Sequence, residues 1–123
     1  MSELQNLHAK KYIALETYKK NNHAVKTPVW FVIHNELIYV ITRDKTGKVK
    51  RLKNNLNVRI APCTFLGKPI GKWILGNAKF VTDEELKTAL ELRKKKYGFM
   101  DKIAQFASRK KGNLVAFSIK LEK

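Results

Sequence analysis

The 123-residue chain holds a single cysteine, Cys63, and only ten acidic residues against twenty-six lysines and arginines. One cysteine excludes an intrachain disulfide framework and a cysteine-based metal site, and it is compatible with a reducing compartment. Cys63 follows Pro62 with no histidine near it in sequence, so it reads as a small buried residue and not as a nucleophile. His8, His23 and His34 are far apart and share no ligand-like spacing, and surface loops account for His23 and His34. No apolar run approaches the ~20 residues that cross a bilayer. The opening stretch MSELQNLHAKKY lacks the apolar centre of a signal peptide. We therefore expect a cytoplasmic protein with no membrane partner. A Ser-His-Asp order and a G-x-S-x-G elbow are both missing, and Gly47-Lys48 lacks the spaced upstream glycine of a Walker loop.

What is present is positive charge. The net charge of +16 favours acidic partners: phosphates, nucleic acid, carboxylate-rich ligands or anionic lipid. The length suits one domain, residues 1–123, with a real core. It is small for a site that encloses a large substrate alone, a limit that a site shared between two subunits relieves.

The most informative charged stretch is Thr42 to Lys53, TRDKTGKVKRLK. A strand-like run ends at Thr42, a short loop carries Gly47, and a helical pattern begins. Val49, Leu52 and Leu56 are spaced i, i+3, i+7 and are expected on one buried face. Lys48, Lys50 and Arg51 then crowd the first turn, where backbone N–H groups are unpaired and the helix dipole is already positive. Cations there are unfavourable unless something negative occupies the site, and strand, glycine-containing loop and helix N-terminus together make a phosphate-holding geometry. A second helical pattern in the same chain behaves oppositely. Thr82-Asp-Glu-Glu85 opens it with a capping box and acidic residues, Leu86, Ala89 and Leu90 point inward, and it closes on Arg93-Lys-Lys-Lys96. Asp83, Glu84 and Glu85 are therefore capping residues and not acid–base catalysts.

The remaining patterns are strand-rich. A short helix is expected over Glu3 to Ala9. Strands are expected over Tyr12 to Tyr18, over Val25 to Ile33 with Pro28 at an edge or bulge, and over Leu37 to Thr42. Further strands are expected over Asn57 to Ala61, Lys72 to Val81 and Leu114 to Leu121, with a short amphipathic helix over Phe99 to Ala107. Six strands with few helices suggest a mainly β, α+β fold: a six-stranded antiparallel barrel with short flanking helices. Phe31, Tyr39 and Phe80 sit in strand patterns and read as core.

The succession Thr27-Pro-Val-Trp-Phe31, Leu37-Ile-Tyr-Val-Ile-Thr42, Gly47-Lys-Val-Lys-Arg-Leu52, Val58-Arg-Ile-Ala-Pro-Cys63 and Gly76-Asn-Ala78 resembles the pyridoxamine-phosphate-oxidase-like split β-barrel family. Within it the chain looks most like the small deazaflavin-dependent (coenzyme F-420) oxidoreductases. The resemblance spans roughly residues 10 to 120. It implies a homodimer with FMN or coenzyme F-420 in a groove at the dimer interface, and hydride transfer to or from a small substrate. It further implies that Lys48, with Lys50 or Arg51, holds the cofactor phosphate, and that Thr42, Thr46 and Gly47 add hydroxyl or backbone hydrogen bonds. By the same resemblance Pro28, Val29 and Trp30 run beside the ring, and Trp73 approaches it, from the same subunit or from the second. Gly47 stands before Lys48 where true pyridoxamine-phosphate oxidases commonly place an Arg-Lys pair, and counterparts of that enzyme's C-terminal Trp and Arg are not found. Pyridoxamine phosphate is therefore not the expected substrate. The alternatives are a basic nucleic-acid-binding β-barrel, served by the runs Arg93 to Lys96 and Arg109 to Lys111, and a non-catalytic flavin- or haem-binding split barrel.

Overall fold

A computed structural model describes residues 2–122. In chain order the elements are α1 (Ser2–His8), β1 (Ile13–Tyr18), β2 (Ala24–Val29), β3 (Val32–His34), β4 (Leu37–Arg43), α2 (Gly47–Asn54), β5 (Asn57–Pro62), β6 (Ile74–Phe80), α3 (Asp83–Tyr97), α4 (Phe99–Ser108), a 3-10 turn (Arg109–Lys111) and β7 (Leu114–Leu121). Among the described residues seven strands form one antiparallel sheet, in the order β2-β1-β5-β6-β7-β4-β3. This is the half-barrel expected, with one strand more than the sequence suggested.

The extra strand arises where one run was expected over Val25 to Ile33. Its first part, β2, is one edge of the sheet and its second part, β3, is the other. Only Trp30 and Phe31 lie between them, a span of at most ~7 Å per two residues. Two edges joined by so short a link must come together, so the sheet curls into a split barrel. Pro28 is tolerated because β2 is an edge strand. Asn35 and Glu36, both at positive φ (50° and 65°), turn β3 tightly into β4.

Alternation along the strands sorts residues to two faces. Ile13, Leu15, Ile38, Val40, Ile60 and Phe117 fill the interior together with Leu4 and Leu7 of α1. On the outer face of β3 and β4, Val32 and Tyr39 pack against Ala89 of α3. Of the inward set expected on α3, Ala89 is buried and Leu86 and Leu90 are half-buried. Phe31 and Tyr39 are core as expected, and Phe80 packs edge-on against Phe117 with centroids 6.3 Å apart. Cys63 is buried and burial raises its thiol pKa, as suits an inert residue.

Three local expectations are corrected. The basic helix α2 stops at Asn54, and Asn55 is extended (φ −152°), so Leu56 leaves the helical face and is exposed; its carbonyl instead accepts from the Ala78 amide at 2.8 Å. The strand expected from Lys72 begins at Ile74, because the end of β5 is taken by a fold-back in which Cys63 bridges to Pro69 and the Ile70 amide donates to Pro62. His34 belongs to β3 and not to a loop, whereas His23 is exposed as expected.

The seam at Trp30–Phe31 is latched by the end of α3. Trp30 stacks on Tyr97 with centroids 4.1 Å apart and planes 8° from parallel. The Tyr97 hydroxyl accepts from the Phe31 amide at 3.1 Å and lies 2.6 Å from the Lys11 carbonyl, to which it donates. Lys96 Nζ donates to the Phe31 carbonyl at 3.0 Å and rides 3.6 Å over the Phe31 ring. Burial pushes the Tyr97 phenol up to about 12 and the Lys96 ammonium down to about 8. Because Lys96 is lowered on folding, keeping it charged costs stability below that value. The cost is relieved as pH rises from about 8 towards the ordinary 10.5. Wild type is therefore expected to gain stability over Lys96→Met across that window, read by guanidinium unfolding at neutral pH and again in the ordinary lysine range; a constant difference refutes it. Tyr97→Phe, which removes both hydrogen bonds, is expected to cost about 1–3 kcal/mol in the same assay.

Candidate functional site

The structure brings five of the expected site residues together at the start of α2. Val49 and Leu52 are buried under the sheet and fix which way the helix rolls. Thr42, the last residue but one of β4, faces the interior, and its Oγ1 lies 3.4 Å from Oγ1 of Thr46, the residue that precedes the helix. Thr46 makes no side-chain cap; its hydroxyl donates to the Arg43 carbonyl at 2.9 Å. The first turn of α2 carries no acidic residue, so the dipole there is uncompensated from within.

Two cations converge on that end. Arg51 folds back along its own helix, Nε donating to the buried Thr17 hydroxyl of β1 at 2.6 Å. The guanidinium lies so close to Gly47 that a Cβ there would meet Nη1 at 2.8 Å, a contact that a small shift of the flexible Arg51 head would relieve. Lys48 is half-buried. Burial, then the neighbouring Arg51 charge, hold its ammonium below the usual lysine range, and burial alone lowers Arg51. Among the described residues the ion pairs are Glu16 with Arg59 and Lys26, and Arg93 with Asp101, so neither Lys48 nor Arg51 has a carboxylate partner. Two desolvated, mutually repelling cations beside two hydroxyls and an uncapped helix N-terminus form a donor set that fits a phosphate.

The other expected site residues lie elsewhere. Lys50 is exposed on the far side of α2 and does not join Lys48 and Arg51. Val29 is buried in the core, Pro28 is exposed on β2, and Trp30 is half-buried with one ring face stacked on Tyr97. Trp73 belongs to the outer face of the sheet. There the register aligns Lys26, Glu16, Arg59 and Leu75 across β2, β1, β5 and β6. Trp73 lies against the two cations of this row, 5.3 Å from Lys26 Nζ and 5.1 Å from the Arg59 guanidinium carbon. Thr17 and Glu16 are neighbours on β1 and so point to opposite faces. Within one chain the α2 cradle and the Trp73 cluster are therefore on opposite sides of the sheet.

The Trp73 cluster contains what sequence reasoning missed. Glu16 is buried, grips Arg59 through two hydrogen bonds of 2.7 and 2.9 Å, and accepts from Tyr18 at 2.7 Å. The Arg59 hydrogen bond lowers its pKa most, against the opposing effect of burial. A carboxylate directly after the apolar run Ile13-Ala-Leu, within one strand pattern, was the available signal. Cavities of about 330 Å³, beside His34, Tyr39 and Glu85, and of about 260 Å³, beside His8, Leu92 and Lys96, are lined by none of the expected site residues.

A family model described as pyridoxamine 5'-phosphate oxidase matches residues 3–123. No curated protein matches the sequence. Among solved structures, a haem-storage protein of Vibrio cholerae is similar with TM-score 0.73 at 16% identity, covering 99% of this chain and 89% of that one. An FAD-binding protein of Mesorhizobium loti is similar with TM-score 0.69 at 14% identity (99% and 87% covered), and an F-420 reductase with TM-score 0.65 at 16% identity (97% and 93% covered). At these identities the likeness is one of fold.

The cradle predicts a specific pattern of anion binding. Lys48→Glu or Arg51→Glu should weaken binding of pyrophosphate several-fold or more, since one charge-assisted contact contributes about 1.5–3 kcal/mol. Lys50→Glu should change it little. Because Lys48 is held low in the free protein, affinity should fall on raising the pH while ordinary lysines are still charged. Calorimetric titration of the three variants across pH checks both statements; equal losses in all three would reduce the effect to net charge.

Proposed function

Because the chain belongs to the pyridoxamine 5'-phosphate oxidase family, we propose that it is an oxidoreductase that binds a flavin-type cofactor, FMN or coenzyme F-420, at a homodimer interface. The observation that carries this reading is the pair Lys48 and Arg51, desolvated at the start of α2 and lacking any carboxylate partner among the described residues. Cations kept in that state are stabilised by a bound phosphate, which both cofactors carry. The M. loti and F-420 reductase structures of the same fold are described as FAD-binding and as a reductase, which supports the same class of ligand.

In this reading Lys48 and Arg51 hold the phosphate, with Arg51 aimed by Thr17 and lying over Gly47. Thr46 and Thr42 supply hydroxyls at the mouth of the cradle. When bound, the cofactor supplies a ring that accepts or donates hydride, so the chain needs no acid–base pair of its own. The protein's part is to bind, orient and exclude water. A second subunit completes the groove. The outer face supports this, since Trp73, Leu75 and the exposed Phe65, Leu66 and Ile70 of the β5–β6 connection lie on the strands or loop of that side. Aromatic and apolar side chains flanked by arginine are the composition of an interface core.

The test is a paired titration of purified protein with FMN and with coenzyme F-420, read by cofactor absorbance and fluorescence, with Lys48→Glu as control. Saturable binding of one cofactor, weakened by the substitution, supports the reading and names the cofactor. Binding of haemin alone would make it a haem protein of this fold. Binding of neither cofactor, with retention of DNA or RNA that fades steeply with salt, would overturn the proposal in favour of a nucleic-acid-binding barrel.

A further inference from the structure

Helix α4 faces the wrong way for an amphipathic helix. Its inward stripe is polar or small: Asp101, Ala104, Gln105 and Ser108 are buried or half-buried. Asp101 is paired with Arg93 of α3 and accepts from the Gln105 side chain at 2.9 Å. Arg43, from the outward side of β4, donates to the Gln105 carbonyl at 3.0 Å, to Ser108 Oγ at 3.1 Å and to the Gly112 carbonyl at 3.3 Å. The apolar stripe is left outside. Phe99 is 73% exposed, Met100 54%, Ile103 47% and Phe106 67%. Hydrogen bonds and a buried ion pair therefore hold the helix with its greasy side in solvent, which is costly unless that side is covered.

Charge around the stripe indicates what covers it. Between Phe99 and Lys111 the only acidic residue is Asp101, which is turned inward and neutralised by Arg93. Lys102, Arg109, Lys110 and Lys111 are exposed on the same segment, and Lys94 and Lys95 are exposed at the end of α3. Arg109 lies 4.4 Å from the Phe106 ring centroid, at the border of the apolar stripe. We propose that α4 is a docking face for an anionic lipid membrane, lying in the plane of the interface with Phe99, Met100, Ile103 and Phe106 among the acyl chains and the basic rim against the headgroups.

A bilayer surface fits better than a second copy of the chain. A copy docked through α4 would set two basic rims against each other in a protein of net charge +16. Four partly exposed side chains on a helix ~15 Å long also offer only a few hundred Å², below the roughly 800 Å² per partner of a standard interface. A membrane interface asks for what is here: a short amphipathic helix, aromatic and aliphatic on one side, with lysine and arginine around it and its one acid, Asp101, turned inward. The expectation of no membrane partner rested on the lack of a spanning run, which such a helix does not need.

The test is flotation of the full chain with vesicles of phosphatidylcholine alone and with about one-third phosphatidylglycerol, an anionic fraction at which basic segments bind. Binding to the anionic vesicles only is expected. The double variant Ile103→Ser/Phe106→Ser should lose at least about tenfold in partition, since two apolar side chains are withdrawn from the acyl chains. Lys110→Glu/Lys111→Glu should lose binding that salt also weakens. These positions are exposed, and an unchanged circular dichroism spectrum and FMN or F-420 titration would separate lost docking from lost folding. No binding to anionic vesicles overturns the proposal. So does binding that survives the serine variant undiminished, which would be adsorption by net charge alone, and so does a change from dimer to monomer in that variant, which would make α4 a chain–chain interface.

Discussion

The geometry of the protein depends on how a sheet with two free edges is closed. Trp30 and Phe31 are all that separates edge strand β2 from edge strand β3, so the barrel cannot open without pulling that dipeptide out of register. An edge carries unpaired N–H and C=O groups, and burying them without partners costs free energy. The far end of α3 meets that need: Tyr97 serves the Phe31 amide and the Lys11 carbonyl, and Lys96 serves the Phe31 carbonyl. The lowered Lys96 and raised Tyr97 pKa values follow from placing these groups where backbone has to be satisfied away from water. Both register as strongly perturbed, yet a seam and not a reaction centre explains them.

Once the barrel is closed, the two faces of each strand have separate consequences. On β1, Thr17 looks inward and aims Arg51, while Glu16 looks outward and organises Arg59, Lys26 and Trp73. On β4, Thr42 looks inward to the cradle at α2, while Arg43 looks outward and ties down α4. One-residue steps along two strands thus separate an anion cradle from an outer surface. A cofactor with phosphate at one end and a flat ring at the other is long enough to involve more than the residues at the start of α2.

Much of this was legible in the residues. The inverted charge at α2 stood out because Thr82 and Glu85 obey the dipole rule in the same chain, and the Glu85 amide does donate to Thr82 Oγ1 at 3.3 Å. Strand alternation and helix spacing gave the β-rich architecture, and the order of short motifs gave the family. The losses share one cause, which is that local patterns do not encode pairing partners. Nothing in Val25 to Ile33 says that its two halves belong to opposite edges of a sheet. Nothing near Trp30 in the sequence says that Tyr97, distant along the chain, stacks on one face of its ring. Lys50 and Arg51 are adjacent and equally basic, and only the direction of α2 on the sheet, set by Val49 and Leu52, separates the one in the cradle from the one in solvent.

Helix α4 carries the same lesson furthest. Its sequence reads as an ordinary amphipathic helix, and the default physical inference would bury Phe99, Ile103 and Phe106. The opposite happens because Arg93 and Arg43 are already committed to that side of the sheet and need acceptors there, which Asp101 and the carbonyls of Gln105 and Gly112 supply. Turning the apolar stripe inward would carry Asp101 into solvent and leave the buried Arg93 without its carboxylate, and a buried charge stripped of its partner is strongly destabilising. The polar network therefore decides the roll of the helix, and the exposed stripe with its basic rim is a consequence of that choice.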